Sequence, residues 1–311
     1  MNTQSNAVPQ AAADTRASAK TTSSLAQPFY WSVRRELWEN RSLYIAPLAV
    51  TAVYLFGFLL YSPKLASNMR AALDMDPMHQ RHMLEQPYNF VAVAIMGIAF
   101  LIGLLYCVEA LYSERRDRSI LFWKSMPVSD LTTVLSKAFV PIVFVPLFCF
   151  ALTVTAQYIM LFLNSAVLAA SGLPVAILWS RLALFRTSLM LLYHLVAVHM
   201  LWYAPIYAWL LLVSAWARRV PILWAVLPPV AIAMFERVVF HTSYFVSFIG
   251  SRFGGDTSAE SAAMEQSFPI HPAMHPTPVH FLATPGLWLG LIFAAICLAA
   301  AVRLRRYREP I

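Results

Sequence analysis

The chain has 311 residues, of which 59% are hydrophobic and only 12% charged, and its mean hydropathy is +0.62; an ordinary soluble domain carries about 25% charged residues. That balance excludes a disordered chain, a collagen-like repeat and a small disulfide scaffold, and the apolar runs recurring along its length indicate a polytopic membrane protein. A net charge of +8 would suit a nucleic-acid binder, but the positions of the charges point to membrane topology instead.

Residues 1–27 are rich in Ala, Ser, Thr and Gln and lack the apolar core of a signal peptide, so a disordered cytoplasmic tail is expected. Residues 28–311 read as one six-span domain. Its first segment, PFYWSVRRELWEN, repeats Phe29 or Tyr30, Val33 and Leu37 at helical spacing, with the charges largely opposite. This predicts an amphipathic helix in the headgroup layer, with Trp31, Arg34, Arg35 and Trp38 at the interface. Uncharged intervals of about the length needed to cross the hydrocarbon core then place spans at about 42–62, 87–110, 138–163, 187–213, 221–240 and 285–302. Asn164-Ser165 and then residues 171–174 (SGLP) mark the turn region after the third span. No alternating pattern of a membrane barrel occurs, so the fold class is all-α. Cys107, Cys149 and Cys297 lie within apolar runs and read as packing residues.

With both termini inside, sixteen of the 23 basic residues fall on the inner side and seven on the outer. The positive-inside rule therefore selects an N-in, C-in topology and makes the basic balance a topology signal, with no nucleic-acid role.

The inner loop between spans two and three is the most informative stretch. A charged block, Glu114 to Arg118, is followed at once by Ile120, Leu121, Phe122 and Trp123, which suggests a helix lying across the membrane surface. Pro127 interrupts it. Ser129 and Asp130 then cap the next helix, which enters the membrane at Lys137. The positive-inside rule alone would also produce a charged loop here.

The run YSERRDRSILFWKSMPVSDLTTVLSK resembles the inner loop of the type-2 permease family of ATP-binding-cassette (ABC) exporters, and the six-span layout with its interfacial helix resembles that family over most of the chain. The resemblance implies a coupling loop comprising Ser113, Glu114, Arg115, Arg116, Asp117, Arg118, Ile120, Phe122, Trp123, Pro127, Ser129 and Asp130, docked on cytoplasmic ABC ATPase subunits. It further implies a second permease half, a bacterial inner-membrane location and lipid surroundings. Where many relatives carry Gly-Thr after the charged cluster, this chain has Arg118-Ser119. No glycine precedes a lysine, so the chain has no phosphate-cradling Walker A loop. It is expected to be no enzyme and to hold no cofactor, with ATP and magnesium bound by the partner.

Other chemistries are weaker. His194 and His199, five apart in the fourth span, would point about 140° from each other on an α-helix, and a neutral histidine bonding a neighbouring helix is the expected state. Glu236-Arg237 suggests a local ion pair or an outer-vestibule contact. His241, His271, His275 and His280 invite a metal reading, but Pro269, Pro272, Pro276 and Pro278 prevent a shared helical face, so no metal is expected and the segment reads as an outer cap. A non-transporting six-span scaffold or assembly subunit is the alternative function, and a membrane enzyme comes third.

Overall fold

The computed structural model describes residues 26–64, 67, 77–119, 128–173, 175–182, 184–254 and 282–307. All regular elements among them are helical, and six helices are long and apolar enough to cross a membrane, as in a multi-pass membrane protein. Helix α1 (Ala26–Glu39) precedes the first span, α2 (Ser42–Tyr61), and α3 (Pro77–Glu109) forms the second, followed by the single turn α4 (Tyr112–Arg116). Helix α5 (Asp130–Phe139) continues through a π-helical turn (Val140–Phe144) into α6 (Val145–Ala170). Short α7 (Val175–Arg181) leads to α8 (Leu184–His194), a π-helical segment (Leu195–Trp202) and α9 (Ala204–Trp216). The last three are α10 (Pro221–Val239), α11 (Tyr244–Gly254) and α12 (Pro285–Tyr307).

The six candidate spans overlap the uncharged intervals, although the fourth, Leu184–Trp202, stops short of the expected end and Ala204–Trp216 follows as a shorter apolar helix. The third differs from expectation in two ways. It continues past Asn164-Ser165 to Ala170 and ends at Gly172, whose φ of +70° suits a residue without Cβ. There Leu173 N–H donates to the Leu168 carbonyl at 3.0 Å and Gly172 N–H to Ala169 at 3.2 Å, the paired closure of a helix C-terminus. Asn164 is therefore no turn residue: it is buried, and its amide donates to Tyr88 OH at 2.8 Å. The second difference concerns the backbone ladder. Pro141 has no N–H to offer, and the widened π turn from Val140 to Val145 N–H absorbs the defect without ending the helix.

Helix α9 is the central strut, with Tyr207, Ala208 and Leu211 fully buried. It packs along α12. The contact is made close by small residues: Ala204 and Ala208 on α9, and Gly290, Ala294, Cys297 and Ala301 on α12. Without a hydrophobic drive between helices in lipid, such surfaces gain from close van der Waals approach. The three cysteines are free and buried, consistent with packing roles. Helix α10 presents most of its apolar residues outward.

Candidate functional site

Helix α1 packs its expected apolar positions Phe29, Val33 and Leu37 against the body, but one charge goes with them. Ser32, Val33 and Glu36 are buried against the body, while Trp31 and Trp38 are exposed. The charges do not all lie opposite the packed face, because Glu36 is the most deeply buried residue of the helix, at 0% exposure. An ion there must be paired, since desolvating a carboxylate costs several kcal/mol.

Glu36 belongs to a network at one end of the bundle. Lys137 Nζ lies 2.8 Å from Glu36 Oε1 and 3.2 Å from Glu114 Oε1. Arg35 Nη2 bridges the same two carboxylates, at 2.7 Å from Glu36 and 3.2 Å from Glu114. Arg305, near the end of α12, donates from Nη1 to Glu114 Oε2 and from Nε to Asp130 Oδ1, the latter at 3.1 Å. Tyr106 OH, from α3, donates to Glu36 Oε2 at 2.9 Å. Three carboxylates (Glu36, Glu114, Asp130) thus meet three cations (Arg35, Lys137, Arg305), and Glu39 joins from the rim, 3.6 Å from Arg35 Nε. Burial pushes the Glu36 carboxyl upward, but Lys137 and Arg35 outweigh it and hold it below its ordinary value. Burial likewise pushes Arg35 down, and Glu36 and Glu114 more than reverse that.

A second lock joins the loop to α9. Ser214 Oγ accepts the free N–H groups of Leu111 and Tyr112 at 3.0 and 2.9 Å, where α4 begins. Arg115, 3% exposed, donates from Nη2 to the Ser214 and Ala217 carbonyls at the end of α9. Both contacts satisfy helix-terminal groups that would otherwise be orphaned.

The expected coupling residues therefore divide. Glu114 and Arg115 face inward and hold the loop in place; Arg116, Asp117 and Arg118 are exposed, with Arg116 Nε 3.1 Å from Asp117 Oδ1. Ser113 is half-buried. Ser129 caps α5 as expected, its Oγ accepting from Thr132 N–H at 3.1 Å, whereas Asp130 turns to Arg305. Ile120, Phe122, Trp123 and Pro127 lie outside the described residues. Arg118 has φ 55°, a left-handed backbone that L side chains rarely adopt.

The other candidates resolve individually. A π-helical segment begins at Leu195, directly after His194, and its wider turn makes the divergence of His194 and His199 smaller than the 140° expected on an α-helix. His199 is buried, with Nε2 3.3 Å from Tyr207 OH on α9. Among the described residues no ion pair joins Glu236 to Arg237, and Glu236 lines an open concavity with Phe235, Phe240, Tyr244 and Phe248. Its carboxylate accepts from Thr242 Oγ1 and from the N–H groups of Tyr244 and Phe245, capping α11 across a sharp turn. His241 is exposed in that turn, and His271, His275 and His280 lie outside the described residues. Among the described residues no three metal-ligating side chains gather.

Sequence reasoning missed Glu36, Tyr106, Lys137, Ser214 and Arg305 as one site. A lysine at the start of a long apolar run was the available signal, since an ionisable group at membrane depth requires a partner. No protein-family model matches this chain, and neither a curated protein nor a solved structure matches it.

Proposed function

We propose that this chain is the permease subunit of an ABC exporter in a bacterial cytoplasmic membrane, paired with a second permease half and driven by ATP hydrolysed on separate ATPase subunits. The observation that carries the reading is the position of Glu114. It sits in the loop between spans two and three, and its two oxygens bond Arg35 of α1, Lys137 of α5 and Arg305 of α12. Through Arg115 the same turn grips the end of α9. A push on this loop reaches the interfacial helix and spans three, four and six together, as a coupling element requires. The exposed Arg116, Asp117 and Arg118 supply the polar face for an ATPase, and the apolar run after them supplies the anchor. The left-handed backbone at Arg118, where many type-2 permeases carry glycine, is a further local point of agreement.

The test is purification of the full chain from native membranes under mild detergent. A stoichiometric partner bearing a Walker A loop, with ATPase activity lost on Trp123→Ala more than on Arg118→Ala, supports the proposal. A chain that purifies without any nucleotide-hydrolysing partner points to the scaffold reading. Reporter fusions address the topology in the same cells: fusions after Pro77 and near Thr257 should read as external, and one near Ser129 as internal.

A further inference from the structure

Helix α1 carries a second face that the ion network does not use. Trp31, Arg34 and Trp38 follow one another at spacings of three and four, which places them in one stripe. This stripe is turned away from the packed residues Ser32, Val33 and Glu36. The Arg34 guanidinium sits 5.1 Å from the Trp31 ring centroid and 4.9 Å from that of Trp38. The two indoles are 58% and 68% exposed. Among the described residues no carboxylate pairs with Arg34, although its neighbour Arg35 contacts three of them. A planar cation is thus held between two aromatic rings on the outside of the molecule, and none of its N–H donors meets an acid.

The geometry points to a binding site on α1 for the headgroup phosphate of an anionic phospholipid. Three facts about the stripe select this occupant. Indoles are amphipathic and settle at headgroup depth, where a ring buries its body and keeps its N–H wet. A guanidinium offers a rigid fork of donors that matches phosphate oxygens two at a time, and stacking restricts its rotation before the ligand arrives. The chain then enters its first membrane-crossing helix at Ser42, only a few residues beyond Trp38, so the stripe sits beside the bilayer surface. Arg41, exposed at that junction, adds a second positive charge. A net anionic headgroup is preferred over a zwitterionic one because a choline would oppose both cations. The inference does not depend on the coupling role and would stand for a scaffold of the same fold.

Tryptophan quenching by brominated lipids tests it on the full chain in nanodiscs. The contribution of Trp31 and Trp38, two of nine tryptophans, is obtained as the difference between the parent and the Trp31→Phe/Trp38→Phe variant. In the parent, brominated phosphatidylglycerol should associate with the site roughly fivefold more strongly than brominated phosphatidylcholine, the preference expected for one arginine at an anionic surface. Arg34→Gln should abolish the preference while leaving the quenching itself. Equal quenching by the two lipids in the parent would overturn the proposal, as would a preference that survives Arg34→Gln. Absence of quenching by either lipid would place the stripe against water or protein and overturn it as well. Unchanged quenching of the other seven tryptophans in each variant verifies that it folds as the parent does.

Discussion

Lys137→Met removes one of the two cations that bridge Glu36 and Glu114 and makes the network more negative by one charge. Its ammonium lies 2.8 Å and 3.2 Å from the two carboxylates, and at an effective dielectric near 20 each contact is worth about 5–6 kcal/mol before desolvation is subtracted. Burying the ammonium consumes several kcal/mol of that gain. The net loss on breaking a buried pair from one side is roughly 3–5 kcal/mol, and most of it reflects the stranded carboxylate. Glu36→Gln keeps acceptors and donors for Tyr106 and Arg35 but removes the stranded charge. The double variant Lys137→Met/Glu36→Gln should therefore be more stable than Lys137→Met alone by at least about 1 kcal/mol. Equilibrium unfolding in mixed micelles measures all four corners of the cycle. Strictly additive losses would refute the reasoning, because they would mean that the two groups do not interact in the folded protein.

Acidification gives a related result. The Glu36 carboxyl is held below its ordinary value of 4.5 in the folded state, so its contribution to stability is complete above that pH and is lost as pH falls beneath it toward the depressed value. Melting temperature followed through this acid range should fall less steeply in Glu36→Gln than in the parent. Arg118→Gly should stabilise the loop by up to about 1 kcal/mol, since a left-handed backbone costs an L residue roughly 1–2 kcal/mol and glycine's extra unfolded-state freedom returns part of the gain. A lower midpoint for that variant would contradict the left-handed assignment. Gly290→Ala should destabilise by about 1–3 kcal/mol, because the added Cβ would lie 2.6 Å from Arg252 Nη2 and 2.9 Å from Pro205 Cγ. Thermal unfolding reads this, and Gly57→Ala, whose Cβ meets open space, serves as the neutral control.

The six spans were legible because lipid imposes a coarse rule: long uncharged intervals with helical backbone throughout. Ser129 as a cap was legible too, since its chemistry is local. The network was not, because its members come from α1, the inner loop, α5 and α12, and only packing brings them within 3.2 Å. Glu36 shows the difficulty well. A glutamate next to Arg34 and Arg35 reads as a solvated charge, and Lys137 across the interface, together with Arg35 and Tyr106, makes its burial tolerable. The π-helical register of His199 was likewise invisible, because nothing in an apolar run announces a widened turn. Arg118 was half legible: its position was marked as a departure from glycine, but its left-handed backbone needed the structure.

The coupling role of the inner loop is tested most directly by photo-crosslinking. A benzophenone-bearing residue placed at Arg116 or Arg118, both exposed and outside the ion network, would be irradiated in native membranes with and without ATP. The account predicts crosslinks to a nucleotide-binding chain at both positions, with a yield that changes when ATP is supplied. Crosslinks to lipid alone, or a partner yield indifferent to nucleotide, would contradict it.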